Sequence, residues 1–316
     1  MKKYIFSLLS AFLIATPLMA QSAGTTAFNF LKADYSARGA AMANNLLAIK
    51  QDVNTMFYNP AGLYGIEQSQ WSAGYTDHLL DFQAGQLLYA RQGGPLGIVG
   101  LGVIYFDYGS FDATDEFGDL TGENASASEF AVAFSISNTL GDGFDYGVNL
   151  KYIYSSLDVY SAAGIAIDAG LIYNVPLGKD LRLGVSVSNL GIVYDTYTDV
   201  DDKMPVNLRV GFSKKLAHLP LLFSASLNDI TLSSDDNVDV LKRFSVGGEF
   251  DVSAVLKFRI GYDNNVNQSV RPLSGRNFGG VSAGLGLNVK SFRVDYAFSS
   301  GGDLGNQNRF GLTGNF

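Results

Sequence analysis

The stretch FDYGVNLKYIY, residues 144–154, alternates between two kinds of side chain. One set is apolar and aromatic, namely Phe144, Tyr146, Val148, Leu150, Tyr152 and Tyr154. The other set is largely polar or small, namely Asp145, Gly147, Asn149, Lys151 and Ile153. A period of two places the sets on opposite faces of a β-strand. The stretch therefore predicts a strand with one apolar and one largely polar face.

The same alternation recurs in LKFRIGYD (256–263) and FRVDYAF (292–298). Charged members of their polar faces are Lys257, Arg259, Arg293 and Asp295. In a soluble sandwich the apolar face would point into the core, whereas in a membrane barrel it would point out to lipid. The alternation alone leaves both folds open.

The composition favours a membrane barrel in an exported protein. The chain of 316 residues has 36 Gly, 17 Tyr and 22 Phe but is only 16% charged, and it lacks cysteine. Residues 1–20 join Lys2 and Lys3 to an apolar stretch that ends at Ala20, which predicts a secretory signal peptide. No later apolar run is long enough for a membrane helix. The net charge of −8 argues against a nucleic-acid partner.

The order of strands and connections decides between the two folds. About fourteen strands are predicted, near 69–77, 82–92, 96–107, 126–138, 143–155, 162–175, 181–190, 205–216, 220–229, 241–252, 255–263, 276–288, 291–299 and 308–316. Tight turns alternate along most of the chain with longer, Asp-rich loops near 108–125, 191–204, 230–240, 264–275 and 300–307. Outer-membrane barrels have short periplasmic turns and long outer loops. In a soluble sandwich the lengths of the connections are not expected to alternate in this way. We therefore expect an antiparallel transmembrane β-barrel over residues 69–316.

The closing segment NRFGLTGNF (308–316) puts Phe310, Leu312 and Phe316 on one face. A last strand that ends in an aromatic residue resembles the assembly signal of bacterial outer-membrane proteins, so Phe316 is the candidate signal residue. An even number of strands brings both ends of the barrel to one side. We expect that side to be the periplasm of a Gram-negative bacterium.

Residues 21–68 precede the first strand and predict a plug inside the barrel. Their small-residue stretch ADYSARGAAMANNLLAI (33–49) can pack in a narrow lumen, and a barrel of this size has internal space to fill. Charged residues expected on the lumen face are Lys151, Arg182, Arg209, Lys257, Arg259, Arg293, Asp145, Glu249 and Asp295. They could pair with plug groups such as Asp34, Asp52 and Asn59. The alternative is a charged ladder along a pore.

The plug ends in DVNTMFYNPAGL, residues 52–63. Pro60 has no backbone donor and pushes the preceding residue toward extended geometry, while Gly62 permits a sharp bend. We expect this turn to anchor the plug where the chain leaves the lumen for the first strand. The anchoring candidates are Asp52, Asn54, Asn59, Pro60 and Gly62; a binding loop is the alternative.

The same stretch is similar to the Asn-Pro-Ala element of the N-terminal hatch in FadL-type fatty-acid transporters. The chain also resembles the PorV/PorQ family of the type IX secretion system, and PorQ most closely. That likeness is carried by GTTAFNFLKADYSARGAAM, GENASASEFAVAF, SKKLAHLPLLFSASLNDI (213–230) and FSVGGEFDVSAVLKFRIGYDN. It runs through nearly the whole mature chain.

The resemblance implies a non-enzymatic component of type IX secretion that helps to attach secreted cargo at the surface of a Bacteroidota-like cell. Its implied partners are a PorZ-like surface protein, PorU/PorV-like components, and outer-membrane lipid and lipopolysaccharide. The alternative function is FadL-like transport of hydrophobic small molecules. Transport predicts an apolar pocket near the hatch and a lateral gap at the Gly97, Gly100 and Gly102 strand, whereas secretion predicts a sealed lumen.

Enzymatic and metal sites find little support in the sequence. The two histidines, His78 and His218, are expected on opposite sides of the membrane, so neither can act as the base of the other's site. GIVGLG (97–102) lies within a strand and opens no helix, unlike a nucleotide fingerprint. No cofactor is expected. The acidic loops 112–119 and 195–202 could bind a divalent cation or bridge it to lipopolysaccharide phosphates.

Overall fold

The computed structural model describes residues 26–78, 82–114, 119–176, 180–197, 202–231, 240–270 and 278–316. They form a closed antiparallel barrel in which each strand pairs with its sequence neighbours and β1 pairs with β14. The strands are β1 Gln70–Asp77, β2 Gln83–Gln92, β3 Ile98–Thr114, β4 Leu120–Gly141, β5 Phe144–Leu157, β6 Tyr160–Asn174, β7 Leu181–Asp195, β8 Asn207–Lys215, β9 Leu221–Leu227, β10 Phe244–Asp251, β11 Leu256–Asp263, β12 Val281–Val289, β13 Phe292–Ser300 and β14 Asn306–Asn315. The predicted fourteen-stranded barrel is confirmed. The predicted signal peptide, residues 1–20, lies outside the described residues.

The remaining regular structure is short. The α-helices are α1 Ala37–Ala41 and α2 Asn264–Ser269, and the 3₁₀ turns are Asn29–Lys32, Val53–Thr55, Pro60–Leu63, Gly94–Leu96 and Gly302–Leu304. None of the helices in the described part of the chain is long and apolar enough to cross a membrane.

The two faces of the strands follow the predicted alternation. In β5 the largely polar set that contains Asp145 and Lys151 is buried inside the barrel. Val148, Leu150 and Tyr152 of the apolar and aromatic set are exposed on the outside. Exposed apolar side chains continue around the outside, for example Leu87, Leu101, Phe134, Ile165, Leu183, Ile260, Leu285, Val294 and Phe310. An apolar outer surface around a filled, polar interior is the arrangement of a membrane barrel.

The connections differ in length between the two ends of the barrel. At the end where Gln70 pairs with Asn315, they are tight, as between β4 and β5 or β12 and β13. At the other end, longer segments follow β7, β9 and β11. We call these the tight end and the loop end. That the tight end faces the periplasm stays a prediction.

Three strands are longer than the sequence predicts, because part of the segments taken as loops at 108–125 and 191–204 is sheet. Pairing of β3 with β4 continues past a β-bulge at Asp107/Ser110 to Thr114 and Leu120, although β2 pairs with β3 only as far as Asp107. Likewise β7 pairs with β6 as far as Asp195, although it pairs with β8 only as far as Ser188. We call residues 108–114, 120–127, 155–163 and 190–195 the raised wall at the loop end.

Residues 26–68, which we call the hatch, lie inside the barrel. Helix α1 packs against β11, β12, β13 and β14, and the Pro60–Leu63 turn packs against β4, β5 and β6. A Cβ atom at Gly147 or Gly184 of the wall would overlap hatch backbone at Pro60 or Leu47, so wall and hatch are in close contact. Most hatch side chains are buried, including Met42, Leu46, Val53 and Leu63.

Candidate functional site

The turn at residues 52–63 consists of two capped 3₁₀ segments. The Asp52 carboxylate accepts a hydrogen bond from the backbone N–H of Asn54 at 2.9 Å, and the Asn59 amide oxygen accepts one from Ala61 N–H at 3.1 Å. Pro60 occupies the first position of the second segment, where a missing N–H leaves no bond unmade. Asp and Asn favour such caps because their side chains satisfy otherwise unpaired N–H groups.

Asn59 joins this turn to the barrel wall. Its side-chain amide donates to the carbonyl of Leu47 at 2.7 Å within the hatch, and to Leu171 at 3.3 Å and Val185 at 3.5 Å on β6 and β7. Asn59 is fully buried, so these bonds form away from water. The structure buries all five residues predicted to anchor the plug, namely Asp52, Asn54, Asn59, Pro60 and Gly62. The atoms nearest to Gly62 belong to Ile49 and Thr55 of the hatch itself. Their anchoring role stays a prediction.

Asn54 makes a second link, to the neighbouring strands. Its amide nitrogen donates to the Thr313 hydroxyl at 3.2 Å, and its amide oxygen accepts from Ser72 and Gln86, both at 3.0 Å. These partners lie on β14, β1 and β2. The hatch therefore bonds to both sides of the seam at which the first and last strands meet.

A closed ring of alternating charges connects the hatch to β10, β11 and β13. Arg38 pairs with Asp52 at 2.5 Å and with Glu249 at 2.8 Å. Arg259 pairs with Glu249 and with Asp295, each at 2.7 Å. Arg293 completes the ring, to Asp295 at 2.7 Å and to Asp52 at 3.0 Å. We call these six residues the charge ring.

The charge ring contains three cations and three anions, so it carries no net charge. Burial alone would raise the pKa of the Asp52 carboxyl, but Arg293 and Arg38 outweigh it and hold that pKa well below its usual range. Burial likewise opposes the charge of Arg38, yet Glu249 and Asp52 raise its pKa above the usual value. Each hatch charge is therefore kept ionised by two partners.

The other predicted lumen charges are placed differently. Lys151 pairs with Asp168 at 2.6 Å between β5 and β6, and Asp145 pairs with Lys50 of the hatch at 2.5 Å. Lys257 contacts Asp251 near the tight end and Glu249 at 3.4 Å. No ion pair joins Arg182 to another of the described residues. The structure brings together Glu249, Arg259, Arg293 and Asp295 but not the whole predicted set.

Several residues that hold the hatch in place were not predicted from the sequence. Arg38 lies in the small-residue stretch of the hatch and received no role, although a single arginine among Ala and Gly is itself a signal. Arg309 of β14 lies on the lumen face, opposite to Phe310, and its guanidinium donates to the backbone carbonyl of Asp34 at 2.8 Å. The Tyr58 hydroxyl donates to the Asp34 carboxylate, whose pKa is raised by burial.

A cavity of about 230 Å³ lies between the hatch and the wall toward the loop end. Its apolar and aromatic lining includes Leu31, Tyr35, Phe57, Tyr58 and Ile104, and its polar lining includes Lys32, Asn189, Asn207, Arg209, Asn228 and Asp229. The cavity is mixed in character, whereas the transport hypothesis predicts an apolar pocket.

Arg209 is the predicted lumen cation that lines this cavity. Its guanidinium lies 5.7 Å from the centre of the Tyr58 ring and donates to the carbonyls of Tyr58 at 3.3 Å and Phe57 at 3.4 Å. No carboxylate of the described residues forms an ion pair with it, and Asp229 of the same cavity pairs with Lys32 at 3.4 Å. The cavity therefore offers a cation held by aromatic and carbonyl groups.

The wall at the Gly97, Gly100 and Gly102 strand is closed. β2 and β3 form ten consecutive pairs, from Gln83 with Asp107 to Gln92 with Ile98. A Cβ at Gly100 or Gly102 would meet Met56 of the hatch, so the glycines make room for hatch packing. Across these described pairs there is no lateral gap, contrary to what the transport hypothesis predicts here.

The positions of the histidines and of the described parts of the acidic loops give no support for a catalytic or metal site. His78 follows β1 at the loop end and His218 lies between β8 and β9 at the tight end, as predicted. Within the described ranges, no group of three or more acidic, histidine or cysteine side chains could hold a metal ion. Parts of both acidic loops, residues 115–118 and 198–201, lie outside those ranges, so the cation prediction is untested.

Phe316 lies on the outside of the barrel. Its backbone N–H donates to Ser69 at 3.0 Å and its ring stacks on Tyr89 with centroids 6.2 Å apart. Its role as an assembly signal stays a prediction.

Several solved structures share this architecture. The Pseudomonas putida toluene transporter TodX superposes with a TM-score of 0.60 at 14% identity, covering 89% of this chain and 98% of that chain. This chain has the FadL-type barrel fold. The Ralstonia pickettii toluene transporter TbuX gives a TM-score of 0.60 at 15% identity over 89% of this chain and 98% of that one. A Pseudomonas aeruginosa FadL homologue gives 0.50 at 12% identity, over 88% and 97%. No family model matches the sequence, and no curated protein matches it.

Proposed function

We propose that this protein is a small-molecule transporter of a Gram-negative outer membrane. The observation that carries the proposal is the cavity between hatch and wall, because it places a binding space within a FadL-type barrel. The fold by itself is compatible with other functions, so the site must carry the argument. The role requires no catalysis and no cofactor.

The lining of the cavity narrows the class of substrate. Tyr35, Phe57 and Tyr58 offer aromatic surface, and Arg209 with the amides of Asn207 and Asn228 offers hydrogen-bond donors. A ligand that is apolar over most of its length and carries one acceptor or anionic end would match both parts. A purely hydrocarbon ligand would leave the buried Nε–H of Arg209, which has no hydrogen-bond partner among the described residues, unsatisfied.

Passage through the barrel requires that the hatch moves. The wall at β2–β3 is closed, and the charge ring fixes the hatch to three strands. We propose that a ligand in the cavity competes with contacts at Tyr58 and Arg209, which lie on the hatch and the wall respectively.

A second candidate function is favoured by that same closure. A lumen filled by a hatch that ion pairs lock in place suits a component that acts through its surfaces. We propose, as the alternative, a PorQ-like role in type IX secretion in a Bacteroidota-like cell with periplasmic termini. Its partners would be PorZ-like and PorU/PorV-like proteins and lipopolysaccharide, with a divalent cation at the acidic loops as an optional bridge.

One experiment separates the two candidates. The gene is deleted and complemented with the wild type, Arg209→Leu or the matched lumen variant Arg182→Leu. Uptake of a radiolabelled medium-chain carboxylic acid and of toluene is measured beside the surface retention of a secreted cargo protein. Transport predicts that deletion and Arg209→Leu reduce uptake of the acid while cargo is retained. Normal uptake with lost cargo retention would overturn it in favour of the secretion role.

A further inference from the structure

Among the described residues, strand β7 has an edge without a backbone partner at the loop end. Its residues 190–195 pair with β6 on one side, from Leu190 with Ile167 to Asp195 with Ala163. On the other side its pairing with β8 stops at Ser188. No backbone group in the described part of the chain pairs with the outer edge of residues 190–195.

The separation of β7 from β8 is built into the structure. Asn189 has a left-handed backbone with φ of 62°, next to a register shift in the β6–β7 pairing at Ile167/Ala169. The Asp168 carboxylate accepts from the Asn189 N–H at 2.8 Å and also pairs with Lys151. The Asn189 side chain donates to the Pro205 carbonyl at 3.0 Å, just before β8 begins. These buried bonds redirect the strand at the base of the open edge.

The unpaired segment LGIVYD, residues 190–195, contacts the hatch on its inner face and presents apolar side chains on its outer face. Val193 packs on the cluster that contains Phe28 of the hatch. Leu190, Ile192 and Tyr194 point outward and are 42%, 60% and 55% exposed. Branched and aromatic residues on an unpaired edge are a template for strand addition.

The opposite edge of the raised wall differs. Residues 108–114 of β3 also extend beyond their neighbour, but a β-bulge interrupts them and Asp107 and Asp112 flank the irregular part. Bulges and charges are the devices by which proteins protect an edge from pairing. The contrast singles out β7 as the edge left open.

We propose that the edge of β7 at residues 190–195 binds an extended segment of a partner polypeptide by strand addition, beside the cavity and independently of it. A row of alternating N–H and C=O groups is matched by another extended backbone. The added strand would place apolar side chains beside Leu190, Ile192 and Tyr194. A basic residue at its end near Asp195 would complement the acidic charge there.

The test uses the purified full-length protein in detergent and a fluorescent peptide. The probe has two lysines followed by the sequence of residues 160–167, the strand with which β7 already pairs. Peptide binding is measured by anisotropy, and hydrogen exchange is measured in the segment that contains residues 190–195. We expect saturable binding and slower exchange in that segment. A control peptide with proline at the positions of Ala163 and Ile165 should not bind.

Two single variants locate the interaction. Adjacent residues of a strand direct their backbone N–H groups to opposite sides. Proline removes this N–H, so one of the two variants Ile192→Pro and Val193→Pro removes a donor from the open edge, and the other removes a donor from the pairing with β6. We expect the edge-blocking variant to keep the heat-modifiable gel migration of the wild type and to weaken binding about tenfold, the loss of one or two net hydrogen bonds. Phe111→Pro on the β3 edge is the matched control and should bind normally.

The remaining outcomes oppose the proposal. Absence of binding to folded wild-type protein, or equal binding by both proline variants and the wild type, would overturn it. The chain lacks cysteine, so Ile192→Cys introduces a single thiol. A disulfide-linked dimer of this variant in membranes, with exchange protection that appears without peptide, would identify a second copy as the occupant instead.

Discussion

At the residue scale, the charge ring explains how several charged side chains can be buried between the hatch and the wall. Each of its three carboxylates lies between two guanidinium groups, and Arg259 is fully buried. A buried charge is tolerated when its partners and hydrogen bonds replace water, and it becomes costly when one partner is removed. The ring therefore makes the position of the hatch depend on Arg38 and Asp52.

The first prediction concerns Asp52→Asn. The substitution removes one anion and leaves Arg38 and Arg293 with one carboxylate partner each. Loss of one member of a buried ion pair typically destabilises a protein by about 3–5 kcal/mol. We expect a lower temperature at which the folded band disappears on a semi-native gel. The exposed acid Asp112 provides the control, and equal behaviour of Asp52→Asn and Asp112→Asn would contradict the anchoring role.

The second prediction is the pH dependence of the same residue. The pKa of Asp52 lies below its ordinary value of 3.8 because Arg293 and Arg38 outweigh burial. The unfolded chain then binds more protons than the folded one, so this stabilisation is complete above pH 3.8 and is lost as the pH falls further. The difference in unfolding temperature between wild type and Asp52→Asn should be the same at pH 7 and pH 5 and should begin to narrow at pH 3. A constant difference would oppose the argument.

At the element scale, the turn at 52–63 and the strands around it fit each other. Asn59 bonds to carbonyls of two strands, and the wall is glycine where the turn touches it, at Gly147 and Gly170. The close approach lets one short turn fix the end of the hatch.

The third prediction is the replacement of Asn59–Pro60 by Ala-Ala. The change removes three donated side-chain bonds and one cap, each of which contributes about 1 kcal/mol. We expect lower thermal stability and a higher ion conductance in planar bilayers. Asn138→Ala, in β4 near the tight end and on the outer face of the barrel, is the control. Unchanged stability and conductance in the double variant would favour a contact role for the turn.

The fourth prediction compares two glycines of the wall. A Cβ at Gly147 would overlap the backbone of Pro60 and Ala61, whereas at Gly248 the nearest atom is the flexible end of Leu221 at 3.2 Å. Overpacking typically costs about 1–3 kcal/mol. Gly147→Ala should therefore lower the unfolding temperature and raise conductance more than Gly248→Ala. The reverse order would show that the turn is not held against β5.

Much of the strand structure could be predicted from the sequence, for physical reasons. Within the membrane a strand must alternate, so every predicted strand overlaps an observed one, and Lys151 and Arg259 fall on the lumen face. The extensions of β3, β4 and β7 are interrupted by Gly, Asp, Ser or Thr residues, which are typical of turns, so they read as loops. The ring could not be predicted, because the pairing of Arg38 with Glu249 depends on where the hatch lies in three dimensions.

At the whole-molecule scale, the barrel closes through β1 and β14 and has no free edge around its circumference below the raised wall. A closed sheet of this kind loses its backbone bonds together and resists detergent until heated. The hatch adds buried contacts on the inside of the same sheet.

The fifth prediction follows from that closure. The protein extracted from membranes should migrate faster on a gel before boiling than after it, because the intact barrel stays compact in detergent. Tyr75→Pro, which removes a backbone donor between β1 and β14 or β1 and β2, should reduce the shifted fraction. Lys290→Ala, a substitution in the tight turn between β12 and β13, should leave the shifted fraction unchanged. A wild-type band that ignores heating would oppose a closed barrel.

The bonds of Asn54 to β14, β1 and β2 also have a consequence for the order of assembly. The hatch is made before any strand, yet it ends up enclosed by all of them, and its contacts bridge the seam that forms last in sequence. Once Gln70 has met Asn315, the hatch can no longer enter without unthreading the barrel. Folding therefore has to gather residues about 240 positions apart around an already placed core, which predicts slow closure limited by long-range contacts.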